Sequence, residues 1–295
     1  MAASLLDQAR QRGGSFGQTW LSSARGRRIF LVAGGLIAAV FITAVIAPQL
    51  FTHYNPDSLY SARPLAPPSG QHWFGTDELG RDYFARVVYG ARASLTMAVL
   101  VVAIGSILGI AVGVVAGSLG GWVDETLMRV VDLFLSLPGF ILALALSAAL
   151  GRGETSVVIA LSIVWWPSYA RLIRGMILGM KHRLHVESAR ALGASPFRIA
   201  YKHILPFMWG QVNARITQDM GYALVSVAGL SFLGLGAQPP TPEWGSLLES
   251  GLQYVVNGWW LTVFPGLAIT LWTVGIAMFG DGLSGFARSE RSGRR

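Results

Sequence analysis

Of 295 residues, 53% are hydrophobic and only 13% charged, about half the charge of an ordinary soluble chain, so a water-facing surface cannot be covered and a soluble enzyme is excluded. The net charge of +8 would suit nucleic acid, but the basic residues are confined to tails and one loop instead of interleaving with aromatics on one face, which excludes that partner too. With no cysteine there is no disulfide, thiol nucleophile or Cys-ligated metal.

A tail with Arg10, Arg12, Arg25, Arg27 and Arg28 precedes an apolar run from about Ile29 to Ala47. The run exceeds the h-region of a signal peptide, about 7–15 residues, and Pro48 follows without an A-x-A site, so an uncleaved anchor is expected. Further runs cover about Ser94–Gly117, Thr126–Leu150, Val157–Met180, Val212–Gly236 and Trp259–Phe279. Each is near the roughly 20 residues that cross a bilayer core, so the expectation is an all-α polytopic membrane protein with six transmembrane helices. Pro167 interrupts the fourth run, and Arg171 and Arg174 occupy its last third, from where long side chains snorkel to an interface.

Basic residues decide between six spans and five. With six, the N-terminal tail, the C-terminal tail with Arg288, Arg291, Arg294 and Arg295, and the loop with Lys181, Arg183, Arg190, Arg198 and Lys202 share one side. By the positive-inside rule that side is the cytoplasm, and both termini are expected there. The outer segments are then about Phe51–Ala91, Gly151–Glu154 and Ala237–Gly258. Trp122, Trp244, Tyr254, Trp259 and Trp260 read as interfacial anchors. Gly105, Gly109, Gly113 and Gly117 recur every four residues, a small-residue stripe against which another helix can pack closely. Within the spans, Arg129 with Asp132 and Arg215 with Asp219 have the spacing of structural ion pairs.

The connection from about Met180 to Gln211 is the longest inner segment and too polar to be embedded. His185–Gly193 reads as a short helix with Val186, Ala189, Leu192 and Gly193 on one stripe, and the glycine can end it. After Ser195-Pro196, a second amphipathic stretch through Phe197, Ile199 and Ile204 is expected to stop at Pro206. Such a helix fits a groove on another protein or rests on the membrane surface, and periodicity allows both.

Glu187-Ser188-Ala189, Gly193 after three further residues, and Leu205-Pro206 resemble the EAA motif of ABC importer permeases, E-A-A-x3-G-x9-I-x-L-P. Ser188 replaces the second motif residue and His203 stands where the pattern has Ile, with Ile204 one place later. The resemblance implies that Glu187, Ser188, Ala189, Gly193, Leu205 and Pro206 form a coupling element that docks onto a cytoplasmic ATPase. Upstream, the segment Gly75-Thr76-Asp77-Glu78-Leu79-Gly80-Arg81-Asp82 resembles the GTDxxGRD segment of dipeptide and oligopeptide permeases, C-type subunit. Ser231–Gly236, Pro242-Glu243-Trp244-Gly245 and Gly280-Asp281-Gly282 fit the same subfamily. Gly75, Asp77, Gly80, Arg81 and Asp82 read as a folded, ion-paired turn with a structural or gating role.

The resemblance implies a type I ABC importer transmembrane domain in a bacterial inner membrane, carrying short peptides, with nickel, glutathione or another small solute as alternatives. Its implied partners are a second homologous permease, one or two ATP-binding subunits, an extracytoplasmic binding protein and the bilayer. The expected organisation is a tail (1–28), a first helix with an outer segment (29–91), a five-helix core (92–281) containing the coupling loop (180–211), and a second tail (282–295).

No G-x-x-x-x-G-K-[ST] occurs, so ATP and Mg are expected on the partner ATPase and no cofactor on this chain. His182, His185 and His203 lack a closed metal-ligand set, and Gly229–Gly234 lacks the spacing of a nucleophile elbow. No catalytic constellation supports an enzyme; the alternative from another class is an ion-coupled secondary transporter or a membrane scaffold, and the transporter reading is weakened because no span centre carries an unpaired acid.

Overall fold

A computed structural model of the chain describes residues 24–59 and 62–292; Arg10, Arg12, Arg294 and Arg295 lie outside them. The α-helices among the described residues are α1 (Ala24–Ile46), α2 (Tyr83–Leu119), α3 (Gly121–Ser136), α4 (Gly139–Leu150), α5 (Glu154–Met180), α6 (Leu184–Ala191), α7 (Pro196–Arg198), α8 (Leu205–Phe232), α9 (Trp244–Leu252) and α10 (Trp260–Ser292). A π-helical turn, Ile199–Ile204, joins α7 to α8.

Each expected span corresponds to a helix or a bent pair. By length and composition α1, α2, α5 and α10 can cross a membrane, and α3 with α4 makes one more if the pair is counted as one span. The sixth, α8, has the length but carries Gln211, Asn213, Arg215, Gln218 and Asp219 and falls outside that group. The run Thr126–Leu150 is not one straight helix: α3 and α4 meet at 89°. Leu137 is extended there, the conformation that Pro138 favours in the residue before it. Pro167, by contrast, sits buried within α5 without breaking it.

The glycine stripe does what its spacing suggests. A methyl group on Gly113 would come 2.7 Å from both the Ala170 carbonyl oxygen and Ile173 Cβ, and one on Gly117 would come 2.9 Å from Ile177 Cβ. The partners advance with the glycines, so α2 and α5 run parallel with backbones almost touching, an approach that only small residues permit. In the same way Gly34 on α1 abuts Phe279 on α10, while Gly282 abuts Leu31, an antiparallel pair. The core of the bundle gathers Leu95, Val101, Leu161, Leu224, Val227 and Trp244 between these helices.

Two expectations about side chains change. Trp122 and Trp259 are exposed as interfacial anchors should be, but Trp244 and Trp260 are buried. Indole Nε1 of Trp244 donates to the Val87 carbonyl at 2.8 Å, and that of Trp260 to the Thr76 carbonyl at 3.0 Å, so both rings are pins inside the fold. Arg215 pairs with Asp219 as expected, at 3.0 Å. Arg129 instead faces Glu125 at 3.9 Å, and Asp132 pairs across helices with Arg171. At the bend angle of α3 and α4, α3 is tied sideways to α5, and those cross-helix partners outcompete the local one.

Candidate functional site

The turn at the end of α5 is built from the inside out. Val186 and Ala189 are buried and pack with Ile173, Ile177, Ile199, Ile204, Met208 and Val212, seating α6 on the adjoining ends of α5 and α8. Full burial of a valine stabilises by about 1.5–3 kcal/mol, enough to hold an eight-residue helix that would not persist alone. After Leu192 the chain reverses at Gly193, whose φ of +80° favours glycine. The Ala194 N–H donates to the Ala189 carbonyl at 3.1 Å and the Gly193 N–H to the Arg190 carbonyl at 2.9 Å, a Schellman closure. Ser195 caps the next turn, accepting from Arg198 N–H at 3.4 Å.

Here the expected stripe needs correction. Leu192 is 88% exposed and lies outside the buried face, because the helix ends at Ala191 and the reversal turns Leu192 outward. Pro206 does not stop the second stretch. It occupies the first turn of α8, where its missing N–H costs nothing, and the helix runs on to Phe232. Of the motif residues, Ala189 is buried, Glu187 and Ser188 face outward, and Leu205 and Pro206 open α8. The Ser188 hydroxyl donates to the Leu184 carbonyl at 2.8 Å, so this replacement leaves the helix intact. The outward face thus consists of Leu184, Glu187, Ser188 and Leu192, with Phe197 and Tyr201 exposed beyond the turn.

At the opposite end of the bundle the second motif is a closed network. Asp77 Oδ1 accepts from the backbone of Leu79 and Arg81, each at 2.9 Å, and Arg81 Nε donates to Asp77 Oδ2 at 2.6 Å. Arg86 reaches the same carboxylate at 3.5 Å and donates to the Pro56 carbonyl at 3.1 Å. Asp82 caps α2 by accepting from Ala85 N–H at 2.7 Å and meets His72 Nδ1 at 2.7 Å. Gly75 and Gly80 both have positive φ. Asp77, Arg81 and Asp82 are buried, so their charge is consumed within the turn.

Glu243 was legible only as part of a motif. It is fully buried at the start of α9, accepting from Gly245 N–H at 3.0 Å, Ser246 N–H at 2.9 Å and Ser94 Oγ at 2.8 Å. Burial pushes its carboxyl above the ordinary range, against the pull of these donors. It ties the short helix α9 to α2.

The described residues thus form a bundle of helices, several of them long and apolar enough to cross a membrane, with an outward-facing turn at one end, as a membrane-embedded subunit with a docking partner would have. Residues 109–287 match the family of binding-protein-dependent transport system inner membrane components, and the chain belongs to it. It is similar to a protein named as a probable D,D-dipeptide transport system permease, DdpC, of Escherichia coli K12, 37% identical over 92% of this chain and 91% of the relative. It is also similar to the glutathione transport system permease GsiD of Salmonella typhimurium LT2, 42% identical over 88% of this chain and 86% of that one. Among solved structures, the inward-facing MetNI methionine ABC transporter shares the fold: TM-score 0.51, 21% identity, 69% of this chain and 95% of the other. The chain is the membrane-spanning permease of an ABC-type importer.

Proposed function

We propose that this permease carries short peptides into the cytoplasm and that the turn from Glu187 to Pro206 is its dock for the ATP-binding subunit. In this reading the α6 end of the bundle and both termini are cytoplasmic, ATP and Mg bind only to the partner, and a second permease completes the pathway. The observation that carries the docking role is the division of α6 into a seated face, Val186 and Ala189, and an outward face, Leu184, Glu187 and Ser188, that is exposed among the described residues. The residues touching α6 also make the ends of α5 and α8, so displacement of α6 by a closing ATPase dimer displaces both long helices. From α5 the movement passes to α2 along the glycine stripe, and through Arg174 and Asp124 to α3.

Peptide as cargo is supported by the names of DdpC and GsiD; glutathione, itself a tripeptide, is the second reading because GsiD is as similar as DdpC. The outer network of Asp77, Arg81 and Asp82 is assigned a structural role, setting the face that receives the binding protein. Reconstituted importer offered labelled dipeptides, oligopeptides, glutathione and nickel tests the cargo: ATP-dependent uptake of peptides supports the reading, and uptake of nickel alone overturns it.

A further inference from the structure

Beside the coupling turn lies a cavity of about 290 Å³ lined by Ser118 of α2, Ile177 of α5, Lys181 just past the end of α5, and Arg190, Pro196 and Ile204 of the turn, among others. Its floor is apolar, with Ile177, Ile199 and Ile204 nearly inaccessible. Its rim carries Lys181 and Arg190, and none of its lining residues is acidic. Neither cation takes part in an ion pair among the described residues. Ser118 Oγ is buried against this space without a hydrogen-bond partner. Two unpaired cations and an unused hydroxyl around one apolar-floored space complement an anion with an apolar tail.

The position selects among anions. Ser118 lies at the end of α2 and Lys181 just past the end of α5, two helices long and apolar enough to cross a membrane, so on the proposed topology the cavity opens at the cytoplasmic side of the bundle. Ile107 precedes Ser118 by eleven residues, close to three helical turns, so it lies on the same flank of α2, and it is 66% exposed. Ile104 and Ala111 continue that flank, an apolar lane leading from the membrane interior up to the cavity. Inorganic phosphate or a nucleotide would use the rim and leave the lane bare.

We propose that this cavity binds the headgroup of an anionic phospholipid, its phosphate on Lys181, Arg190 and the Ser118 hydroxyl and its acyl chain along the Ile104–Ile107 flank of α2. The inference rests on the cytoplasmic placement of the turn given above. Basic pockets between membrane helices on the cytoplasmic side are suited to such headgroups. Because the cavity is walled by α2, α5 and the segment that follows α6, an occupying lipid braces the coupling turn against the bundle, and ATPase coupling becomes sensitive to anionic lipid.

The test uses the whole importer, delipidated and exchanged into nanodiscs of phosphatidylcholine with or without phosphatidylglycerol, with retained lipid read by native mass spectrometry. The expected result is preferential retention of phosphatidylglycerol, weakened about thirtyfold in K181Q/R190Q, the equivalent of two interfacial cations. It is also lost when A194W fills the cavity with its charges intact. R183Q/K202Q, which removes two cations of the same loop outside the cavity, should leave retention unchanged. Equal loss in R183Q/K202Q, no loss in K181Q/R190Q, or displacement of the lipid by millimolar inorganic phosphate overturns the proposal. ATPase co-purification is read on the same samples: its absence from the wild-type complex sinks the docking role, whereas charge-independent lipid retention sinks the lipid site alone.

Discussion

The guanidinium of Arg174 on α5 grips Asp124 on α3 with two parallel bonds, Nε to Oδ1 and a terminal nitrogen to Oδ2, both at 2.7 Å. Among the described residues it is one of two cross-helix ion pairs holding α3, the other being Arg171 with Asp132. Between them they fix the half of the broken span that leads into the 89° bend.

Arg174→Lys keeps the charge but cannot form the fork, so about 1–2 kcal/mol of stability should be lost, the lower end reflecting the arginine's partial exposure. Asp124→Asn should cost a similar amount, and the double variant little more than either. Thermal unfolding in detergent checks this through the double-mutant cycle; fully additive losses would show that the two side chains do not act as a pair.

Gly113→Leu should be among the most damaging changes in the bundle. The first side-chain carbon already falls 2.7 Å from Ala170 O, so α2 and α5 must separate, at about 3 kcal/mol or more. Gly175→Ala is the control: nothing lies within 4 Å of the added carbon, and the helix should gain about 0.5–1 kcal/mol. Yield of folded protein from membranes and the unfolding temperature separate the two outcomes.

At Gly193 space is no obstacle, since no atom lies within 4 Å of an added carbon; the constraint is φ. Gly193→Val should therefore cost about 1–2 kcal/mol of backbone strain, and ATPase association should fall about tenfold as the reversal is lost. Gly193→Asn, which tolerates that conformation, should retain most of the association. Pull-down of the ATPase by each variant decides.

For Glu243 the sign of the pH effect follows from burial. Its folded carboxyl holds a proton to higher pH than the unfolded one, whose ordinary value is 4.5, so the folded state binds more protons and stability falls as pH rises above that value. Unfolding temperatures followed upward from pH 4.5 should show that decline in the wild type and a shallower one in Glu243→Gln. Glu243→Ala should destabilise at every pH by about 2–4 kcal/mol, because the Gly245 and Ser246 N–H groups lose their acceptor.

The periodic features were readable in advance for a physical reason: hydrophobic length, the four-residue glycine spacing and the buried positions Val186 and Ala189 are local consequences of helix geometry. The break at Leu137 was hidden because Pro138 sits within a continuous apolar run, and Pro167 shows that a proline need not end a helix. Which proline bends depends on neighbours far along the chain. The same holds for Trp244 and Trp260, whose burial depends on the backbone carbonyls of Val87 and Thr76. Asp132 likewise found Arg171 on another helix, a choice that spacing along one helix cannot reveal. At the turn, Leu192 was misplaced because the helix ends one residue before it.

The absence of native cysteine makes the docking role directly testable. Ser188→Cys, on the outward face of α6, should cross-link through a short bifunctional thiol reagent to a cysteine placed on the ATP-binding subunit, while Thr241→Cys at the opposite end of the bundle should not. A cross-link at Ser188 alone is the predicted result; none at Ser188, or equal cross-linking at Thr241, would contradict the assignment of this turn as the ATPase dock.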